Sequence, residues 1–203
     1  MGKKKKKVNP YNQPIDNASI DFQAILEEST TDNVFRGWLL FLGAMADFYS
    51  TTSELLVRIW DAVNAYSSTF NGKKKNLDKE LDIVNEFLGE KSLPEIPAPS
   101  SVKTVGGLIK FKRRVYRRSL YAAFSLITYP LLQNKMLDED VLRGAIKKAY
   151  SLGDEVVSGE LSYEDIQMVL VDEYHLLLSK DERGAYLRGV DEDFVFDYAK
   201  KDG

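Results

Sequence analysis

The chain has 203 residues, 44% of them hydrophobic and 29% charged, with a formal net charge of -3 at pH 7. That is enough for one well-filled core, or for a core with a small second lobe. It contains no cysteine, which excludes disulfide scaffolding, thiolate chemistry and cysteine-ligated zinc, and which fits a reducing compartment.

The small net charge hides a separation. Between Ile96 and Met136 there are 8 Lys or Arg and no acid, whereas from Leu137 to Gly203 there are 17 acids against 8 bases. Such a dipole favours contact between the two regions, within one chain or between copies. MGKKKKK has the charge of a secretory leader, but VNPYNQPIDN stands where an apolar segment is needed, so no signal peptide is expected. Lys6 occupies the place where a myristoylation signal has Ser or Thr. No apolar run approaches the roughly 20 residues that span a bilayer. The expected setting is the cytoplasm or the inside of a virion.

Residues 1–17 read as a basic arm: Lys3, Lys4, Lys5, Lys6 and Lys7 repel one another, and Pro10 and Pro14 oppose helix formation. Residues 18–89 read as an N-terminal helical unit. A short helix is predicted over Ser19–Glu28, with Ile20 and Ala24 inward and Phe22, Ile25 and Leu26 beside them. A second is predicted over Asp32–Phe48, with Val34, Trp38, Leu42 and Met45 on one face, widened by Phe35, Leu39 and Phe41. Gly37 and Gly43 cost helicity, so close packing against another helix is the expected reason for them. Thr51 and Glu54 have capping-box spacing ahead of Leu55, Ile59, Ala62, Val63 and Tyr66. Asn71, Gly72 and three lysines read as a turn. A helix with Leu77, Leu81, Val84 and Leu88 inward follows, stopped by Gly89. Residues 90–103, with Pro94, Pro97 and Pro99, read as a stiff connector.

Residues 104–180 read as a C-terminal helical unit, opening on the stretch around which the chain is organised. Lys110, Lys112, Arg113, Arg114, Arg117 and Arg118 crowd its first half, while Ser119–Leu132 carries no charge. Leu108, Phe111, Val115, Ala122 and Leu126 recur at helical spacing, which predicts one helix with a continuous buried stripe, kinked or ended by Pro130. A helix from Asp138 to about Ser151 follows, with Leu137 and Leu142 at staple spacing, and then one from Ser162 to about Leu178, with Leu161 and Ile166 likewise placed. Residues 181–203 read as an acidic tail that docks locally, or on a partner, through Tyr186, Leu187, Phe194 and Phe196.

No residue pattern specifies catalysis, a cofactor or a metal. His175 is the only histidine, and EDIQMVLVDEYH lacks the two-histidine spacing of a zincin. Asp47 and Asp61 lie in or beside apolar helices, the best places for partly buried acids. Gly106-Gly107 opens a basic helix, where backbone donors could hold an anion, but no phosphate-loop spacing accompanies it. DEVVSGELSYED resembles a calcium loop of the EF-hand family, with Asp154 first, Ser158 fifth, Gly159 sixth and Asp165 twelfth. Val156 brings no third-position oxygen and Asp165 is shorter than the usual glutamate, so a plain helix–turn–helix is expected.

The strongest patch is KFKRRVYRR. On a helix Lys110, Arg114, Arg117 and Tyr121 share a face flanked by Arg113, which suits a phosphate backbone or an acidic protein surface, and Tyr116 is placed to stack on a base. The fold expected is all-α, an irregular bundle of about six helices with extended arms at both ends. The expected function is a non-enzymatic assembly protein, a virion or connector-like component, which self-associates or bridges partners through charged surfaces. The alternatives are an accessory nucleic-acid-binding protein using Lys3–Lys7 and the arginine face, or a small enzyme of unknown class. The residues expected to meet a partner are Lys3–Lys7, Lys110, Arg113, Arg114, Arg117, Arg118, Phe194 and Phe196.

Overall fold

The structure is a computed structural model and describes residues 9–48, 51–68, 77–89, 95–182 and 184–191. Its described part is an irregular bundle of six α-helices closed by one β-hairpin. The lysine turn near Gly72, Lys3–Lys7, Phe194 and Phe196 lie outside the described residues.

Helix α1 (Phe22–Phe48) is continuous where two helices were expected. No proline or glycine falls between Glu28 and Asp32, so nothing there obliges the chain to stop. From Gly37 to Ala46 every residue is buried, with Leu40, Phe41, Leu42 and Ala44 at 0% exposure, so this stretch is the centre of the bundle. Its two glycines are where neighbours press closest. A Cβ on Gly37 would stand 2.5 Å from the Cβ of Ala123, and one on Gly43 would overlap the side chain of Ile166. Ala24 is exposed rather than inward, while Phe22, Ile25 and Leu26 are half-buried.

Helix α2 (Ser53–Ser68) is capped one residue later than expected, because Thr52, not Thr51, accepts from the Leu55 amide at 3.3 Å. It buries Leu56, Ile59, Trp60 and Val63. Helix α3 (Leu77–Leu88) ends at Gly89, whose φ of 70° is the left-handed turn that glycine adopts at little cost. Arg143 ties α3 to the bundle by donating to the Phe87 carbonyl and lying 4.3 Å over the Phe87 ring.

Helix α4 (Val105–Gln133) runs through Pro130 for three further residues. The proline forfeits one i→i−4 bond there, and its own carbonyl accepts the Asn134 amide at 3.0 Å in the closing turn. Its buried stripe is not continuous. Phe111 and Val115 are buried in the first half, but Ala122 is exposed, and Leu120, Tyr121, Ala123, Phe124 and Ile127 take over. At 3.6 residues per turn this is a change of side. The first half faces a small satellite cluster of Val102, Phe111 and Val115 with Phe22, Ile25 and Leu26 around it; the second half enters the main core.

Residues 9–19 are no free arm. Two 3₁₀ turns, Pro10–Asn12 and Asn17–Ser19, lie across the start of α4, with Ile15 N–H donating to Lys103 O at 3.2 Å and Val105 N–H to Gln13 O at 3.0 Å.

Helix α5 (Glu139–Ser158) runs about two turns past its expected end near Ser151, since no residue before Gly159 breaks it, and stops on Gly159 at φ 80°. Helix α6 (Tyr163–Tyr174) begins on a complete capping box, Ser162 with Asp165. It stops at Tyr174 instead of about Leu178, because His175 adopts the left-handed conformation at φ 52°. Leu176–Asp181 (β1) then pairs antiparallel with Gly184–Gly189 (β2), Leu178 opposite Leu187 and Asp181 opposite Gly184. Part of the supposed tail is therefore a strand. With its amide turned to match the donor and acceptor that face it, the Gln167 side chain seals β1, donating to Leu178 O at 3.0 Å and accepting the Leu178 N–H at 3.3 Å. No helix among the described residues is long and apolar enough to cross a membrane.

Candidate binding face on helix α4

Lys110, Arg113, Arg114, Arg117 and Arg118 are spaced i, i+3, i+4, i+7 and i+8, which confines them to about 140° of the helix surface and a rise of about 12 Å. All five are exposed. The helix that carries them is fixed from behind by Phe111, fully buried, whose ring meets Phe22 edge-on at 5.1 Å between centroids. Burying such a side chain stabilises by about 1.5–3 kcal/mol, so the stripe is displayed on a packed element rather than on a fraying end.

The expectation that these cations meet the acidic C-terminal third is met at one position. Arg117 lies 3.5 Å from Asp154 of α5, and both side chains remain more than half exposed, at 65% and 70%. A pair so wet contributes little stability. Among the described residues Lys110, Arg113, Arg114 and Arg118 form no ion pair. The structure thus brings the five cations together and leaves four of them facing solvent.

The two tyrosines of this stretch are not where the stripe alone would put them. Tyr121 is buried, at 1% exposure, because the side of α4 that carries the cations turns into the core one turn later. Tyr116 is half-buried and its hydroxyl lies 2.7 Å from that of Tyr163, across from α6. Burial, then this hydrogen bond, push the Tyr116 phenol above its ordinary range, and burial does the same for Tyr163, over which Arg36 sits at 5.4 Å. Tyr116 is therefore a packing residue and not a stacking platform.

Beside the stripe, α4 and α5 leave a cleft of about 280 Å³, lined by Tyr116, Arg117, Leu120, Tyr121, Tyr150, Gly153 and Asp154. Gly153 keeps the helices close: a Cβ there would lie 3.4 Å from Leu40, Leu120 and the Tyr116 hydroxyl. Sequence reasoning missed this cleft, because Tyr150 and Gly153 meet α4 only through tertiary packing.

The other candidates resolve into structural roles. Gly106-Gly107 cannot receive an anion as it stands. Val105 N–H is taken by Gln13 O, Gly107 N–H by the Thr104 hydroxyl at 3.1 Å, and the Tyr11 carbonyl covers Gly106. In the calcium-like loop Asp154 sits inside α5, and Asp165 accepts from the Ser162 N–H at 2.8 Å and hydroxyl at 2.6 Å. These bonds hold the Asp165 carboxyl below its ordinary range. His175 is exposed and makes the helix-to-strand turn, with its carbonyl accepting from Val190 N–H at 2.8 Å. Asp61 is exposed, and the Asp47 side chain lies outside the described residues. Among the described residues no group of three or more His, Cys, Asp or Glu is arranged to hold a metal.

No protein-family model, no curated protein and no solved structure matches this chain.

Proposed function

We propose that this chain is an assembly component that self-associates, or bridges partners in a larger particle, with the cationic face of α4 as its docking surface for acidic protein. One observation carries the reading: five exposed cations lie on one side of a packed helix, and among the described residues only Arg117 has an acidic partner. A row of guanidinium groups is matched geometrically by carboxylates as well as by phosphates. The 17 acids beyond Leu137 supply carboxylates on every other copy. A virion connector is one setting that fits a small helical protein of this kind, by analogy of fold alone.

A nucleic acid is the second reading, favoured by the same unpaired cations and by the run Lys3–Lys7 in sequence. It ranks lower because Tyr116, the residue best placed in sequence to stack on a base, is bonded to Tyr163.

Light scattering at low and at high salt tests the first reading. The wild type should form a discrete oligomer at low salt that weakens at high salt, and Arg114→Glu/Arg117→Glu should be monomeric with no nucleic acid present. A monomer at both salts, with no partner protein retained, would sink it. Sub-micromolar binding of short DNA or RNA, lost in the double variant while association survives, would promote the second reading.

A further inference from the structure

The two outer edges of the hairpin are not alike. Val190 N–H donates to His175 O, and from that rung the alternation of an antiparallel pair follows. Leu177, Ser179 and Asp181 bond across to Arg188, Tyr186 and Gly184, and the residues between them turn their N–H and C=O outward. On β1 the outward groups of Leu178 are taken by the Gln167 side chain, as the same alternation requires. On β2 the outward groups belong to Ala185, Leu187 and Gly189, and among the described residues they have no partner. Proteins commonly guard such an edge with proline or lysine, and GAYLRG has neither.

This edge is complementary to itself. Antiparallel strands bond where outward groups meet outward groups, so a pair of β2 strands must centre on Ala185, Leu187 or Gly189. Only the Leu187 centre overlaps the whole strand. Ala185 then faces the partner's Gly189, Leu187 faces the partner's Leu187, and Tyr186 faces the partner's Arg188. Leu178 already stands opposite Leu187, so on the core side the leucines of both copies fall into one row. On the other side each arginine meets an exposed tyrosine ring rather than a second arginine, so no like charges are opposed. We propose that β2 pairs antiparallel with β2 of a second copy about a two-fold axis at Leu187, carrying one sheet across both chains. The same chain is a poorer occupant. A tight return to this edge would have to turn within VDED, residues 190–193, which holds neither the glycine nor the asparagine that a two-residue hairpin favours.

This contact goes beyond the assembly reading, because it uses none of the α4 cations. It offers only about six hydrogen bonds along a short edge. By itself it is therefore a weak, transient contact, too weak to show in dilute light scattering, and it strengthens any other contact that already holds two copies together.

Disulfide trapping reads a contact of this kind, and with no native cysteine it has no background. Full-length Tyr186→Cys and Arg188→Cys are mixed in equal amounts under mild oxidant. Position 186 and the partner's position 188 are directly opposed, with Cα atoms about 4.5 Å apart and within disulfide reach. The two copies of position 186 are diagonal neighbours about 7–8 Å apart, and so are the two copies of position 188, which is beyond that reach. The mixed disulfide should form at least about tenfold faster than the homodisulfide of either variant alone. Adding Gly189→Pro to both chains should slow it at least about tenfold with the thermal midpoint unchanged. The Gly189 N–H has no partner among the described residues, and a Cβ there meets nothing within 4 Å. The preference for the mixed disulfide should persist with Arg114→Glu/Arg117→Glu in both chains. A mixture no faster than the single variants, or Gly189→Pro chains that cross-link as fast as their parents, would overturn this inference and leave the assembly reading untouched. Loss of the preference in the Arg114→Glu/Arg117→Glu background would overturn it too, by making the contact a consequence of the cationic face. A preference that holds there, with no salt-sensitive oligomer in light scattering, would uphold this inference and sink the other.

Discussion

Gly37 and Gly43 show how single residues set the distance between helices. Alanine is a better helix former than glycine by about 1 kcal/mol, but overpacking costs about 1–3 kcal/mol. At Gly37 the obstacle is the Cβ of Ala123, 2.5 Å from an added Cβ and fixed to a helix backbone, so α1 or α4 must move. At Gly43 the obstacle is the Cγ2 methyl of Ile166, carried directly on the Cβ of a β-branched side chain that has one strongly preferred rotamer in a helix. Gly37→Ala and Gly43→Ala should therefore each destabilise by about 1–2 kcal/mol in urea unfolding, the first being relieved by Ala123→Gly. Asp165 makes a prediction in pH. Its carboxyl is held below its usual 3.8 by its bonds to Ser162. A depressed folded pKa means stability that is complete above the unfolded value and is lost as pH falls below it. The urea midpoint should fall on acidification from about pH 5 to pH 2, and Asp165→Asn should flatten part of that slope while lowering the plateau at neutral pH.

Among the elements, α4 is the most instructive. A helix with one neighbour buries one stripe; α4 has the satellite cluster on one side of its first half and the main core on the other side of its second. Ala122 continues the first stripe and is exposed, and Ala123 belongs to the second and is buried. Ala122→Lys should change stability by no more than about 0.5 kcal/mol, and Ala123→Lys should abolish cooperative thermal unfolding, followed by circular dichroism. This is also where sequence reading reached its limit. The all-α bundle, the caps at Ser162 and Gly89, and the reason for Gly37 and Gly43 were all legible, because each depends on local spacing or on the plain cost of a residue. The change of side in α4 was not, since periodicity counts apolar positions without knowing how many neighbours await them. Nor was the hairpin, where Leu176, Leu177 and Leu178 are all buried and so lack the alternation that marks a strand. Only Gly184 and Gly189 hinted at the break. Of the candidate face, the five cations could be read directly, while the wall supplied by Tyr150 and Gly153 could not.

At the scale of the molecule, α1 and α4 run parallel, since Phe22 meets Phe111 and Gly37 meets Ala123. The cationic stripe lies toward the Phe22 end of this pair, and the hairpin closes toward the other, with Val190 bonded to His175 next to Tyr174, whose hydroxyl reaches Ala46. The strap formed by residues 9–19 has a different importance. Its bonds from Gln13 and Ile15 to Val105 and Lys103 join chain positions about ninety residues apart, a closure that costs roughly 4 kcal/mol in chain entropy. Behind it stands only the satellite cluster, to which Ile15 belongs and whose three fully buried members are few beside the main core. Contacts so distant in sequence and so thinly backed form late and open first. Tension applied at the N-terminus would peel the strap, strip Ile15 from the cluster and loosen the first turns of α4 while the helices around Phe41 stay shut. The stripe would lose its rigid backing long before the body unfolded, so the docking face is the part of the molecule that yields first to force.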